Sequence, residues 1–203
     1  MGTRARLLGT VVALVWTATA WADLPGAAYR GAETNLLDQL RRGFETAPDS
    51  PAKTRELIQM LDGRLPAEPA DWPPVFLAYR AALAGLAGKH SRWPLERYRG
   101  TKEGLVRLDA RVAANPESIE IRMLRFSFCR QLPDFFGRES QAEADLAALA
   151  EMLEQGADAA VAGTYRRDLI RWILRHGRPA PESRQKLESA LDALPGGGGA
   201  AGD

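Results

Sequence analysis

The stretch Ala113-Ala114-Asn115-Pro116-Glu117-Ser118-Ile119-Glu120-Ile121-Arg122-Met123-Leu124-Arg125-Phe126 ends one helix and starts another within a few residues. Proline lacks an amide donor, so it stops a helix that runs into it and suits the first turn of the next. Asn115 is read as the cap, Pro116 as the first turn, and Glu117 as favoured by the positive end of the helix dipole. Beyond the break, apolar residues fall at helical spacing. Ile119, Met123 and Phe126 share one face, while Ile121, Leu124 and Phe128 share another. Two apolar faces imply packing partners on two sides. Arg122, Arg125 and Cys129 occupy a sector between them.

The same start and stop chemistry recurs in both directions. Toward the N-terminus, a first helix is predicted over 34–47, striped by Leu36, Leu37, Leu40 and Phe44. Ser50-Pro51 opens a second, with Leu57, Ile58 and Leu61 inward and Gly63 near its end. Asp71 is read as the cap of a third, running from Trp72 to Gly88. Its many small residues, from Ala78 to Gly88, predict close approach to a neighbour. A fourth runs from Pro94 to about Ala114, striped by Tyr98, Leu105, Leu108 and Val112. Toward the C-terminus, Leu132–Arg138 reads as a loop. Ser140-Gln141-Ala142-Glu143 reads as a capping box opening a sixth helix striped by Ala142, Leu146, Leu149 and Leu153. A seventh is predicted over 159–176, stopped by Gly177, and an eighth from Pro181 to before Pro195. No stretch alternates β-branched and polar residues as a strand would. The expected fold is all-α: a helical-hairpin array of seven or eight helices in one domain, 23–195. The Gly-rich tail, 196–203, is predicted to be disordered.

The first residues carry a different signal. Arg4 and Arg6 precede an almost wholly apolar run from Leu7 to Thr19, followed by Ala20-Trp21-Ala22. Charged, apolar and small-residue regions in that order predict a secretory signal peptide, 1–22, cut between Ala22 and Asp23. The apolar run is shorter than the roughly 20 residues that span a bilayer, so no transmembrane segment is expected in the mature chain. The expected location is periplasmic or secreted.

Removing Arg4 and Arg6 from 27 basic residues leaves 25 against 26 acidic ones. That balance argues against nucleic acid as a partner. Cys129 is the only cysteine, so no intramolecular disulfide can form, and it is read as a small buried hydrophobe. His90 and His176 stand far apart with no ligand-spaced neighbours, and no metal or cofactor is expected. No Gly-x-Ser-x-Gly turn or phosphate-binding glycine loop occurs.

From Tyr98 through Gly104, Leu108, Ala113 and Asn115-Pro116 to Leu124, the chain resembles the boundary between tetratricopeptide-like helical repeats. The resemblance covers about 94–130 and implies a scaffold that binds ligands along a concave groove. A second resemblance, over about 91–153, is to an uncharacterised group of exported bacterial helical proteins. It rests on the segment from Asn115 to Phe126 with Leu132-Pro133 and Phe136-Gly137. It implies a fold and no chemistry.

The candidate binding residues are Arg122 and Arg125, as groove residues, and Phe135 and Phe136, as an aromatic anchor. The competing expectations are structural. The arginines would pair with Glu117, Glu120 or Asp134, and the aromatics would tuck into the core. Glu139, Glu143 and Asp145 gather at a helix start, where the dipole accounts for them. Arg167, Arg171 and Arg175 form a basic stripe read as a solvated face. The function expected is that of an exported scaffold binding a protein or peptide partner in the cell envelope, without catalysis. The alternatives are an enzyme acting on envelope material through a carboxylate pair assembled in space, or a structural accessory subunit.

Overall fold

The computed structural model describes residues 32–65, 72–156, 158, 161 and 163–194. The predicted leader 1–22 and its cut, the Asp71 cap, the predicted start of the seventh helix at Ala159 and the tail 196–203 lie outside the described residues. The fold is all-α, with eight helices among the described residues. They are α1 (Ala32–Thr46), α2 (Pro51–Arg64), α3 (Pro74–Lys89), α4 (Pro94–Ala114), α5 (Ile119–Arg130), α6 (Glu139–Gln155), α7 (Gly163–Trp172) and α8 (Pro181–Asp192). Short 3₁₀ turns at Ala47–Asp49 and Asp134–Phe136 precede α2 and α6.

Local chemistry explains most boundaries. The Ser50 side chain accepts from the Lys53 amide at 3.1 Å, with Pro51 in the first turn of α2. The Thr54 hydroxyl donates to the Ala47 carbonyl at 2.8 Å, tying α2 to the turn before it. At the central break the expectation needs correction: Asn115 closes α4 rather than opening α5. Its side-chain amide donates to the Arg111 carbonyl at 2.9 Å. The cap of α5 is Ser118, whose hydroxyl accepts from the Ile121 amide at 3.4 Å. The residue before a proline is pushed out of helical conformation, so Asn115 leaves the helix at φ −139° and ψ 64° and the chain needs a further turn before re-entering a helix. The capping box at Ser140 is also corrected. Gly137 adopts a left-handed φ of 63°, and α6 begins at Glu139 with no side-chain cap. The last turn of the seventh helix widens into a π turn, Ile173–Gly177.

One cluster of buried side chains draws on all eight helices, from Leu40 in α1 to Leu187 in α8. Both apolar faces of α5 are buried, as their spacing predicts. Phe126 meets Trp172 edge-on at 6.4 Å. Tyr98, expected in the α4 stripe with Leu105, Leu108 and Val112, instead lies at its margin and is exposed.

The closest approach is between α3 and α4. A Cβ on Gly88 would lie 2.6 Å from the carbonyl carbon of Gly100, and one on Gly104 would lie 2.6 Å from the Cα of Gly85. A Cβ on Gly85 would in turn meet the Phe128 ring at 2.5 Å. No side chain fits at any of these points, so backbone packs on backbone and α5 seats an aromatic ring against the same spot.

This geometry predicts opposite signs for two glycine substitutions. Gly104→Ala should destabilise by about 1–3 kcal/mol through overpacking, although alanine is the better helix former. Gly63, in α2, has nothing within 4 Å of its would-be Cβ, so Gly63→Ala should stabilise by about 0.5–1 kcal/mol. Denaturant melts of the two variants check this, and a stabilised Gly104→Ala would refute the backbone contact.

Candidate interaction surface

Arg122 and Arg125 project from the same side of α5, being three residues apart. On that side α6 presents Asp145, which is 0% exposed. Arg125 grips it with two hydrogen bonds, Nε to Oδ2 at 2.8 Å and Nη2 to Oδ1 at 2.6 Å. Arg122 Nη1 adds a third at 3.1 Å, while its Nη2 donates to the Pro116 carbonyl at 2.9 Å. Arg125 Nη1 also reaches Asp109 of α4 at 3.2 Å, and Arg138 reaches the other oxygen of Asp109 at 2.8 Å. Three arginines and two aspartates thus join α4, α5, α6 and the loop before α6. Burial alone would lower the pKa of Arg125, but the hydrogen bond and charge of Asp145 raise it on balance.

The arginines' partners are therefore Asp145 and Asp109, not Glu117, Glu120 or Asp134. Helical geometry is the reason: Glu120 lies five residues from Arg125 and points to another side of α5. The legible sign was the position of Asp145, three residues after Ala142 and four before Leu149, on the apolar stripe of α6. A charge on a buried stripe requires a partner. Arg125, 8% exposed, sits behind the surface and braces it, and the half-buried Arg122 lies beside it.

Glu120 belongs to a second buried cluster. Arg41 of α1 donates to both its carboxylate oxygens, Nε to Oε1 at 2.7 Å and Nη2 to Oε2. The Tyr79 hydroxyl of α3 donates to Oε1 at 2.9 Å. The Arg41 guanidinium lies over the Tyr165 ring at 4.7 Å. Burial, then the charge of Glu120, pushes the Tyr79 phenol well above its usual range. The recess beside this cluster, lined by Arg41, Tyr79, Glu120, Ser127 and Tyr165, has room for about one water.

The aromatic candidates lie at the surface. In the 3₁₀ turn Asp134–Phe136, Phe135 stacks on Phe136 with centroids 4.7 Å apart, and Phe136 stacks on Tyr98 of α4 at 5.3 Å. Phe136 packs partly into the core, whereas Phe135 is 60% exposed. Leu95 and Val106 of α4 are also open to solvent, at 58% and 56%. The turn is held to α4 at two points, through Phe136 on Tyr98 and through Arg138 on Asp109. Asp109, shared by Arg125 and Arg138, links the two pairs of candidates. Among the described residues no helix is long and apolar enough to cross a membrane, and no group of three or more His, Cys, Asp or Glu side chains could hold a metal ion.

Cys129 is buried behind this turn, and burial pushes its thiol up to about 12, with Arg138 opposing and Asp145 and Asp109 adding. An unfolded thiol ionises near its ordinary value of 9.0. The stability contributed by the protonated thiol is therefore complete below about pH 9 and falls as pH rises toward the folded value. Urea melts should show a smaller alkaline loss for Cys129→Ala than for the parent chain; equal losses would contradict the burial argument. Separately, Asp145→Asn should destabilise by about 3–5 kcal/mol, because it leaves Arg125 buried beside a neutral amide. Thermal melts at neutral pH measure that loss, and a near-neutral effect would show that the network does not brace the helices.

No protein-family model, no curated protein and no solved structure matches this chain.

Proposed function

We propose that the chain is an exported, non-catalytic helical scaffold that binds a protein or peptide partner in the periplasm, through the surface centred on Phe135. The observation that carries this reading is an aromatic stack left open to solvent yet held in place from behind. Aromatic residues, phenylalanine included, are enriched in protein–protein interfaces, and one already held in place loses little freedom on binding. Phe136, Tyr98 and the Arg138–Asp109–Arg125 chain hold Phe135 in one position. The tetratricopeptide-like reading is supported by the order of packing. Each helix from α1 to α5 lies against the next, and α3 also lies against α5. The leader from Arg4 to Ala22 supports export.

A photo-crosslinking amino acid in place of Phe135, in protein exported to the periplasm, tests the reading. One discrete cross-linked product is expected, absent when the same group replaces the exposed Gln185 of α8. Phe135→Ser should displace the partner while leaving stability within about 0.5 kcal/mol. Equal cross-linking from both positions would defeat the proposal. So would reproducible turnover of an envelope substrate that is lost on changing a single carboxylate.

A further inference from the structure

The surface around Phe135 continues along α4. Leu95, Arg99, Lys102 and Val106 follow one another at steps of four, three and four residues, and all are exposed. Those steps place them on one helix face. At 1.5 Å per residue the strip runs about 16 Å, and exposed Ala110 and Ala113 extend it on the same face. Phe135, stacked by way of Phe136 on Tyr98, lies along its edge, and the Lys102 ammonium lies 5.9 Å from the Tyr98 ring centroid.

The charge on this strip is unbalanced. Neither Arg99 nor Lys102 pairs with a carboxylate among the described residues, although α4 carries three acids. Glu96 accepts from the Ser91 hydroxyl at 2.7 Å, Glu103 pairs with Arg107 at 2.5 Å, and Asp109 is taken by Arg125 and Arg138. In a chain whose mature part is close to neutral, this local excess is a matter of placement and not of composition. Two unpaired cations flanked by apolar groups match a partner with the opposite charge and the same periodicity.

We propose that the partner binds as an acidic amphipathic peptide segment laid along α4. Its apolar side chains would contact Leu95, Val106 and Phe135, and its carboxylates would meet Arg99 and Lys102. The proposal rests on the reading of the Phe135 surface as a protein-binding site and adds the chemistry of what binds there. Arginine offers a bidentate fork to a carboxylate and lysine a point charge. Such rim charges govern selectivity and on-rate more than raw affinity.

The test uses the mature chain and two fluorescent model peptides of the same amphipathic pattern of leucine and phenylalanine, one with glutamate on its polar side and one with lysine. The glutamate peptide should bind about tenfold tighter than the lysine peptide, and added salt should narrow the difference. Arg99→Glu with Lys102→Glu should invert the preference while leaving helicity and Tm unchanged, and Phe135→Ser should weaken both peptides. Arg171→Glu on α7, away from the strip, should change nothing. Equal binding of the two peptides, weakened by Phe135→Ser, would overturn the acidic assignment while keeping the surface as a docking site. Binding that ignores Phe135→Ser, or no binding by either peptide, would overturn the assignment of the segment to this strip, and the cross-linking result would still judge the wider reading. Preference for vesicles of phosphatidylglycerol over the glutamate peptide would replace the peptide with a lipid surface. Self-association in sedimentation velocity that is lost in Phe135→Ser would replace it with a second copy of the chain.

Discussion

Backbone contact between α3 and α4, at Gly85 against Gly104 and Gly88 against Gly100, sets the spacing on which the neighbouring helices depend. Packed interiors transmit strain because they contain few voids. Separating α3 from α4 would therefore disturb the Phe128 ring seated on Gly85, and with it the position of α5. Since α5 is buried on nearly every side, its position governs how α1, α4 and α6 are reached. A steric minimum at one crossing is thus passed on to most of the described fold.

Two arginine–carboxylate clusters then fix the orientation of α5. Arg41, Tyr79 and Glu120 join it to α1 and α3, while Arg125, Arg122, Asp145 and Asp109 join it to α4 and α6. Buried pairs of this kind add little net stability over apolar packing, yet they penalise any arrangement that separates them. Apolar faces alone would tolerate a rotation of α5 about its axis. A rotation that strands Glu120 or Asp145 would not be tolerated, so the charges select among packings that the hydrophobic pattern leaves close in energy.

The outer end of the second cluster reaches the surface. Arg138 grips Asp109 just after the turn that carries Phe135 and Phe136, so the buried network braces an exposed aromatic stack. On the solvent face of α4, Glu96 and Glu103 are held by Ser91 and Arg107, so neither pairs with Arg99 or Lys102. Arg125, though buried, thus orders the surface without being part of it.

Helix number, order and most boundaries were legible in the residues, because proline, serine caps and apolar spacing act within a few positions of the chain. Burial of both apolar faces of α5 was legible for the same reason, as was the small-residue character of α3. The cap at Ser118 was missed because Asn115, an equally good cap, spends its side chain on the end of α4. The partners of Arg122 and Arg125 were missed because Asp145 lies 20 or more residues away, and ion pairing between helices depends on their relative rotation, which local spacing does not encode. The exposure of Phe135 and Tyr98 was undetermined in the same way. An aromatic residue on a helix margin or in a turn is covered or open according to where neighbouring segments lie, which local spacing does not encode. Local sequence determined which segments are helical and which faces are apolar; only the tertiary structure decided which charges meet and which aromatics stay in solvent, since both depend on distances between segments remote in the chain.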